Sequence, residues 1–507
     1  MPDSRSTLPS SPPVLHRLPR VRPRPTAAPA VVVAVAAAGI AAGVALPLGG
    51  PGIGWPLVAV TTAAATVFAL RRSPVETTPM TADPMPGPGR IARWGWAVTA
   101  VLLFAVAALR TSGWLVSLCL LAGCAAGSLA VAGGRSLRDL VFGTLAVPVG
   151  GLIGLGWLAR GVAGRGGTGG GRRTVAPVLV SLALLLVFVP LLSGADERFA
   201  DLLSALVPAV GPDSVARTVV AFCLVAAGTA GACYVVVARP VPAAAAPLRG
   251  RLSLRRTDWA LPVGVLCVLF GVYVAVQLVA LFGGSGYVLR TSGLTYAEHA
   301  RGGFWQLCAV SVLTLGVITL VLRWADTGTA ANRTWLRSLV ATLGLLTLVI
   351  VASAVFRMWT YQQAYGFTVL RLGVMACELW LGVVYVLVIV AGIRLRPSWL
   401  SRAIAGTGFA VLLGLALLNP DRFIADRNID RWERTGRLDV RYLSGLSLDA
   451  VPAYTRLPLE LRACAVLRHR PEQYGQRSWY EWTIGRTEAV EVVTRTPVAG
   501  DCYPRYP

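Results

Sequence analysis

Arg357-Met-Trp-Thr-Tyr-Gln-Gln-Ala-Tyr-Gly-Phe-Thr-Val-Leu-Arg371 lies between two long apolar runs, 335–356 and 369–392. Each run reaches the roughly 20 residues with which an α-helix crosses a bilayer core of about 30 Å. Backbone amides find no water in lipid, so runs of this kind cross as helices. The stretch between them reads as a short hairpin connection carrying two arginines, two tyrosines, two glutamines and Trp359. Seven residues past Arg371 stands Glu378, the only acidic residue well inside an apolar run.

The pattern repeats outward from this hairpin. Of 507 residues, 55% are hydrophobic and 14% charged, and the mean hydropathy is +0.64. Soluble chains carry about 25% charged residues. Eleven membrane crossings are predicted, at 27–48, 53–70, 94–109, 113–133, 174–192, 216–238, 259–282, 304–322, 335–356, 369–392 and 401–419. The expected fold is all-α, a polytopic integral membrane helix bundle in the lipid bilayer. A further run, 141–158, is interrupted by Gly143, Pro148, Gly150, Gly151, Gly154 and Gly156, with Arg135, Arg138, Arg160, Arg165, Arg172 and Arg173 on its flanks. A crossing there would put one basic cluster outside. The run is therefore read as interfacial or re-entrant, which irregular backbone tolerates only under protein cover.

The net charge of +23 is the kind of balance that phosphate-binding proteins show. Position argues against nucleic acid here. All 47 basic residues are arginine, and they gather in the short loops between apolar runs. With 141–158 not crossing, 26 arginines fall on one side and seven on the other before residue 420. The positive-inside rule then places the N-terminus in the cytoplasm and the C-terminus outside the plasma membrane.

Four regions follow. Residues 1–26 form an Arg/Pro-rich, disordered cytoplasmic tail, retained because the apolar run after it is too long for a signal-peptide core. Residues 27–173 form a four-helix membrane region that includes 141–158, and 174–419 a seven-helix core. The outer loop 193–213, with Asp196, Glu197 and Asp201 among leucines, reads as a surface helix. Residues 420–507 hold 14 arginines and 12 acids and read as a small helical extracytoplasmic domain. Seven of nine cysteines lie in membrane runs, where Cys packs as a small apolar residue; Cys464 and Cys502, in the outer domain, read as a disulfide. Three histidines in three separate regions give no metal site, and no cofactor is expected.

Two polar groupings stand out besides the hairpin. Thr295-Tyr-Ala-Glu298 has the spacing of a helix-capping box, the favoured reading, while Tyr296, Glu298 and Arg301, the last not explained by capping, could line an outer-face site. Glu378 lies about 12 Å inside its helix end, where a carboxylate is costly and is a functional candidate by default. Gln277 and Gln306 are possible partners for it from neighbouring helices. Tyr361, Tyr365 and Trp359 sit where aromatic belts form with or without a ligand. Phosphate-loop, zinc-protease and nucleophile-elbow motifs do not occur.

Three ordered motifs carry a family resemblance: Gly293-Leu-Thr-Tyr-Ala-Glu-His-Ala-Arg-Gly-Gly-Phe304; Arg357-Met-x-x-Tyr361 with Ala364-Tyr-Gly-x-Thr368 and Arg371; and Asn419-Pro-Asp421 with Asn428-Ile-Asp430. Over roughly 175–460 the chain resembles the bacterial multi-pass membrane family designated domain of unknown function 4153/4173. His299 stands where an aromatic such as Tyr is expected. The resemblance implies topology and motif positions and no reaction. By the arginine count all three motifs face outward, which a binding site needs, although the same groups could simply pin the outer domain to the helices. Three functions are compatible with this pattern. The first is outer-face binding of an envelope ligand or membrane partner through Tyr296, Glu298, Arg301, Arg357, Tyr361, Tyr365, Arg371, Asn428 and Asp430. The second is secondary transport coupled through Glu378. The third is a membrane enzyme acting on lipid-linked substrates through Glu298, Asp421 or Asp430.

Overall fold

A computed structural model describes residues 27–72, 88–134, 137–163, 212–238, 254–282, 304–394, 399–469, 478–497 and Cys502. Described residues before 420 form α1 Pro29–Ala45, α2 Gly54–Arg72, α3 Pro88–Leu109, α4 Gly113–Ala132, α5 Leu137–Ala163, α6 Pro212–Ala238, α7 Arg256–Phe282, α8 Phe304–Trp324, α9 Ala330–Tyr365, α10 Val369–Arg394 and α11 Leu400–Leu418. Ten of these, α2 to α11, are long and apolar enough to cross a membrane, so the chain is a multi-pass membrane protein. Helix α1 is shorter, at 17 residues. The predicted crossing at 174–192 and the surface helix at 193–213 lie outside the described residues.

The bundle has two distinct ends. At one, Arg93 at the start of α3 donates to the Ala130 and Val131 carbonyls at the end of α4, each at 2.9 Å, and Arg402 at the start of α11 donates to Gly134 at 3.0 Å. Leu254, ahead of α7, bonds Trp324 at the end of α8 there. Arginines 71, 72, 255, 256, 323, 333, 337 and 394 belong to the same end. At the other end, Arg110 donates to Ala416 at 2.7 Å and Arg217 to Leu46 at 3.0 Å, which satisfies last-turn carbonyls that a helix leaves open. The α9–α10 hairpin and everything after residue 419 also lie at this second end.

Helix α5 departs from the expectation of an irregular segment: it is one continuous helix of 27 residues. Its glycines pack where they were read as breaks. A β-carbon on Gly231 of α6 would stand 2.3 Å from the Val147 carbonyl oxygen, and one on Gly151 would stand 2.8 Å from that of Ala227. Small residues let the two backbones touch. Pro148 removes one helical N–H and crowds the turn before it. There the buried Ser128 hydroxyl of α4 donates to the Gly143 carbonyl at 2.5 Å and accepts from the Val147 N–H at 3.1 Å. By composition α5 could cross a bilayer, yet both its ends lie at the arginine-rich end. It begins just after Gly134, and Gly161 near its close abuts Ala27, which precedes α1.

Helix α9 is also longer than the predicted 335–356. It runs 36 residues and absorbs Arg357 to Tyr365, so the connection to α10 is only Gly366, Phe367 and Thr368. Nothing in 357–365 stops a helix, whereas Gly366 takes φ +88°, a conformation that only glycine adopts readily.

After Asn419, whose φ of 56° makes the corner, the chain continues as α12 Pro420–Thr435, α13 Val440–Ser444, a 3-10 helix Leu448–Arg456, α14 Leu459–Ala465 and α15 Ile484–Arg495. Cys464 and Cys502 form a disulfide. The apolar core of this region is continuous with the hairpin, because Phe367 and Leu372 are buried in it beside Ile424, Ile429, Leu443 and Tyr454.

Candidate functional site

Helical spacing puts Arg357, Tyr361 and Tyr365 on one stripe of α9, four residues apart. Arg357 donates to Gln277 Oε1 of α7 at 2.7 Å, so the glutamine considered as a partner for Glu378 belongs to the arginine. The Tyr361 and Tyr365 ring centroids are 4.8 Å apart, and the Arg371 guanidinium lies 4.5 Å from the Tyr361 ring centre. Arg371 Nη1 donates to Gly366 O at 2.5 Å and to Tyr365 O at 3.3 Å. Thus α10 sends an arginine back to cap the last carbonyls of α9 while it stacks on a tyrosine. Tyr365 is 49% exposed, which leaves this stack open at the protein surface.

The hairpin turn is gripped from the far side. The buried Asn428 side chain on α12 accepts from Phe367 N–H at 2.8 Å and donates to Phe367 O at 2.9 Å. Val369 N–H donates to the Tyr442 hydroxyl at 2.9 Å. Phe367 itself, 2% exposed, sits between Trp359 and Phe423.

Helix α12 sorts its charges by stripe. Asp426, Asp430 and Glu433 meet Arg456, with the closest contact 2.6 Å from Arg456 Nη2 to Asp430. Arg427, Arg431 and Arg434 form the adjoining stripe at the same spacing. Arg427 pairs with Asp430 and covers the Phe423 ring. Among the described residues Arg431 has no such partner. Its Nη1 stands 3.3 Å from where a Gly366 β-carbon would be, beside Arg371. Partial burial, then the neighbouring Arg437, Arg371 and Arg434, pull its pKa down. Among the described residues, Arg371, Arg431, Arg434 and Arg437 form no ion pair.

The structure therefore gathers Tyr361, Tyr365, Arg371 and Asn428 at one turn, with Arg357 two turns deeper along α9 than Tyr365. Asp430 faces away, toward Arg456. Tyr296, Glu298 and Arg301 lie outside the described residues. Arg431, Arg434, Arg437 and Tyr442 were not singled out by sequence. The two offset charge stripes of α12 were the signal that could have found the arginines. Glu378 is 2% exposed inside the bundle, and among the described residues its Oε2 has no partner. Gln306 is exposed. A groove lined by Leu348, Val355, Trp359, Leu379 and Gly382 between α9 and α10 is apolar throughout and offers nothing to fix a ligand's orientation.

A family model described as a domain of unknown function, DUF4153, matches residues 97–457. The chain belongs to this family. The DUF4153 match starts earlier than residue 175, so it takes in most of α3 and all of α4, and it contains the hairpin, α12 and the 3-10 helix that carries Asp449. No curated protein matches the chain, and no solved structure does.

Proposed function

We propose that this DUF4153 protein binds an envelope ligand at the outer face of the plasma membrane, in the notch between the α9–α10 hairpin and α12. The arginine-rich end supports a cytoplasmic assignment for itself and an outer one for the hairpin, because short cytoplasmic loops concentrate arginine. One observation carries the reading. The Tyr361–Tyr365–Arg371 stack is half open beside Arg431, a guanidinium that pairs with no carboxylate among the described residues. A pure docking joint, such as Asn428 on Phe367, satisfies its polar groups within the protein. This stack leaves donors over.

The test is complementation of a deletion phenotype by Tyr361→Ala and by Arg371→Ala, with protein level and detergent monodispersity measured alongside. Both variants should insert and remain monodisperse but fail to complement. Full complementation by both would reduce the hairpin to a connector.

A second reading, transport, rests on Glu378. A buried carboxylate inside a membrane bundle, one of whose oxygens has no partner among the described residues, is an ion- or proton-coupling candidate. Proteoliposome uptake that Glu378→Gln abolishes would favour it. The enzymatic reading finds less support. Asp421 is buried and accepts from Trp114 and Ser447, and Asp430 is held by Arg456.

A further inference from the structure

We propose that the notch recognises a phosphate-class anion, held between Arg371, Arg431, Arg434 and Arg437 at the Gly366 turn. The proposal rests on the outer-face binding reading and names the chemistry of its ligand.

Two guanidinium groups converge on one residue without a side chain. Arg371 Nη1 bonds the Gly366 carbonyl, and Arg431 Nη1 stands 3.3 Å from the position a β-carbon there would take. Arg434 stands one turn on from Arg431 along the same stripe of α12, Arg437 follows just past the helix end, and among the described residues none of the four pairs with a carboxylate. The acids nearby are engaged elsewhere. Asp426, Asp430 and Glu433 meet Arg456, and Asp439 accepts from the Tyr442 N–H at 2.8 Å.

Like charges gathered at one turn repel one another, and a bound phosphate group relieves part of that repulsion. Guanidinium is planar, stays charged and presents paired N–H donors that match phosphate oxygens two at a time. Among the described residues Arg371 bonds through Nη1 and Nη2, with Tyr361 held at 3.4 Å, which leaves its Nε–H for a ligand. The Asn428 clamp holds the turn in this shape before any ligand arrives, so little ordering is left for binding to impose.

The phosphate can belong to a soluble diphosphate or to the headgroup of an outer-leaflet lipid. The experiment uses full-length protein in phosphatidylcholine nanodiscs, titrated with inorganic pyrophosphate and followed by tryptophan fluorescence. In parallel, the protein is extracted from mixed phosphatidylglycerol–phosphatidylcholine vesicles and its retained lipid is counted. Wild-type protein should bind one of the two probes, more weakly at high salt. Arg431→Gln and the exposed-site Arg437→Gln should each lose about tenfold or more of that binding, as loss of a charge-assisted bond implies. Arg427→Gln, already paired with Asp430, should keep it. Pyrophosphate binding identifies a soluble phosphate, and selective phosphatidylglycerol retention identifies a headgroup. Binding of neither, or equal binding by Arg431→Gln and wild type, overturns the anion assignment. The outer-face site itself is judged separately, by whether Tyr361→Ala still fails to complement.

Discussion

Asn428 holds Phe367 by both ends of its backbone, accepting the N–H at 2.8 Å and donating to the C=O at 2.9 Å. One side chain thereby does for an isolated residue what a neighbouring strand does in a sheet, and it joins α12 to the turn between two membrane helices. Asn428→Ala leaves a buried donor and a buried acceptor unmade, at about 1–3 kcal/mol for each. Thermal unfolding in detergent, followed by tryptophan fluorescence, should show a clear fall in midpoint. An unchanged midpoint would mean that the clamp contributes nothing.

Gly366→Ala attacks the same joint from its other half. The residue sits at φ +88°, and an added β-carbon would come within 2.8 Å of Asn428 Oδ1. Strain of about 1–3 kcal/mol is expected. Because both changes break one contact, the double variant Gly366→Ala/Asn428→Ala should lose less than the two single losses combined. Strict additivity in a double-mutant cycle would separate the two residues.

Cys464 and Cys502 are 38 residues apart in sequence and bonded. Closing a loop of that length stabilises by about 3–4 kcal/mol in the chain-entropy picture. Alkylation of envelope-derived protein should label neither thiol until a reductant is added. Labelling of both without reduction would contradict the bond.

His469 gives the C-terminal region a pH dependence. Burial, then the charge of Arg468, lowers its pKa from 6.5 to about 4, and among the described residues neither ring nitrogen has a partner. The folded state therefore holds fewer protons than the unfolded one between those values. Stability from this group is complete above the ordinary value and drains away as pH falls toward 4, by an amount on the order of 3 kcal/mol. Unfolding midpoints measured from pH 7 to 4 should fall more steeply for wild type than for His469→Leu. Parallel slopes would remove His469 from the account. Asp449 works in the opposite sense. Burial raises its pKa despite bonds from Thr111, so acidification relieves it.

Sidedness is open to a direct reading. A reporter active only outside the membrane should be silent when fused after Arg239 or Arg396 and active after Gly284 or Asp430. The reverse pattern would put the hairpin notch in the cytoplasm.

Long apolar runs made most helices legible, since composition alone forces a helix in lipid. Termini were less so. Arg357 to Tyr365 look like a loop because they are polar, but polarity does not end a helix and Gly366 does. In the 141–158 run the glycines count as interruptions only while their neighbour is unknown. Opposite Gly231 they form a contact surface, and sequence holds no sign that those two positions meet. Tyr361, Tyr365, Arg371 and Asn428 could be picked out singly. Their convergence with Arg431 depends on the turn of α11 into α12 at Asn419, a left-handed corner that an asparagine permits without announcing.

Helix α5 has a consequence for how the chain could have been assembled. Since it leaves and rejoins the same end of the bundle, it adds nothing to the alternation of up and down. Excising 137–163 would strip the glycine seam from α6 yet leave every later helix pointing as before. A chain can gain or lose such a segment without being turned inside out, whereas the loss of any true crossing would reverse all that follows it.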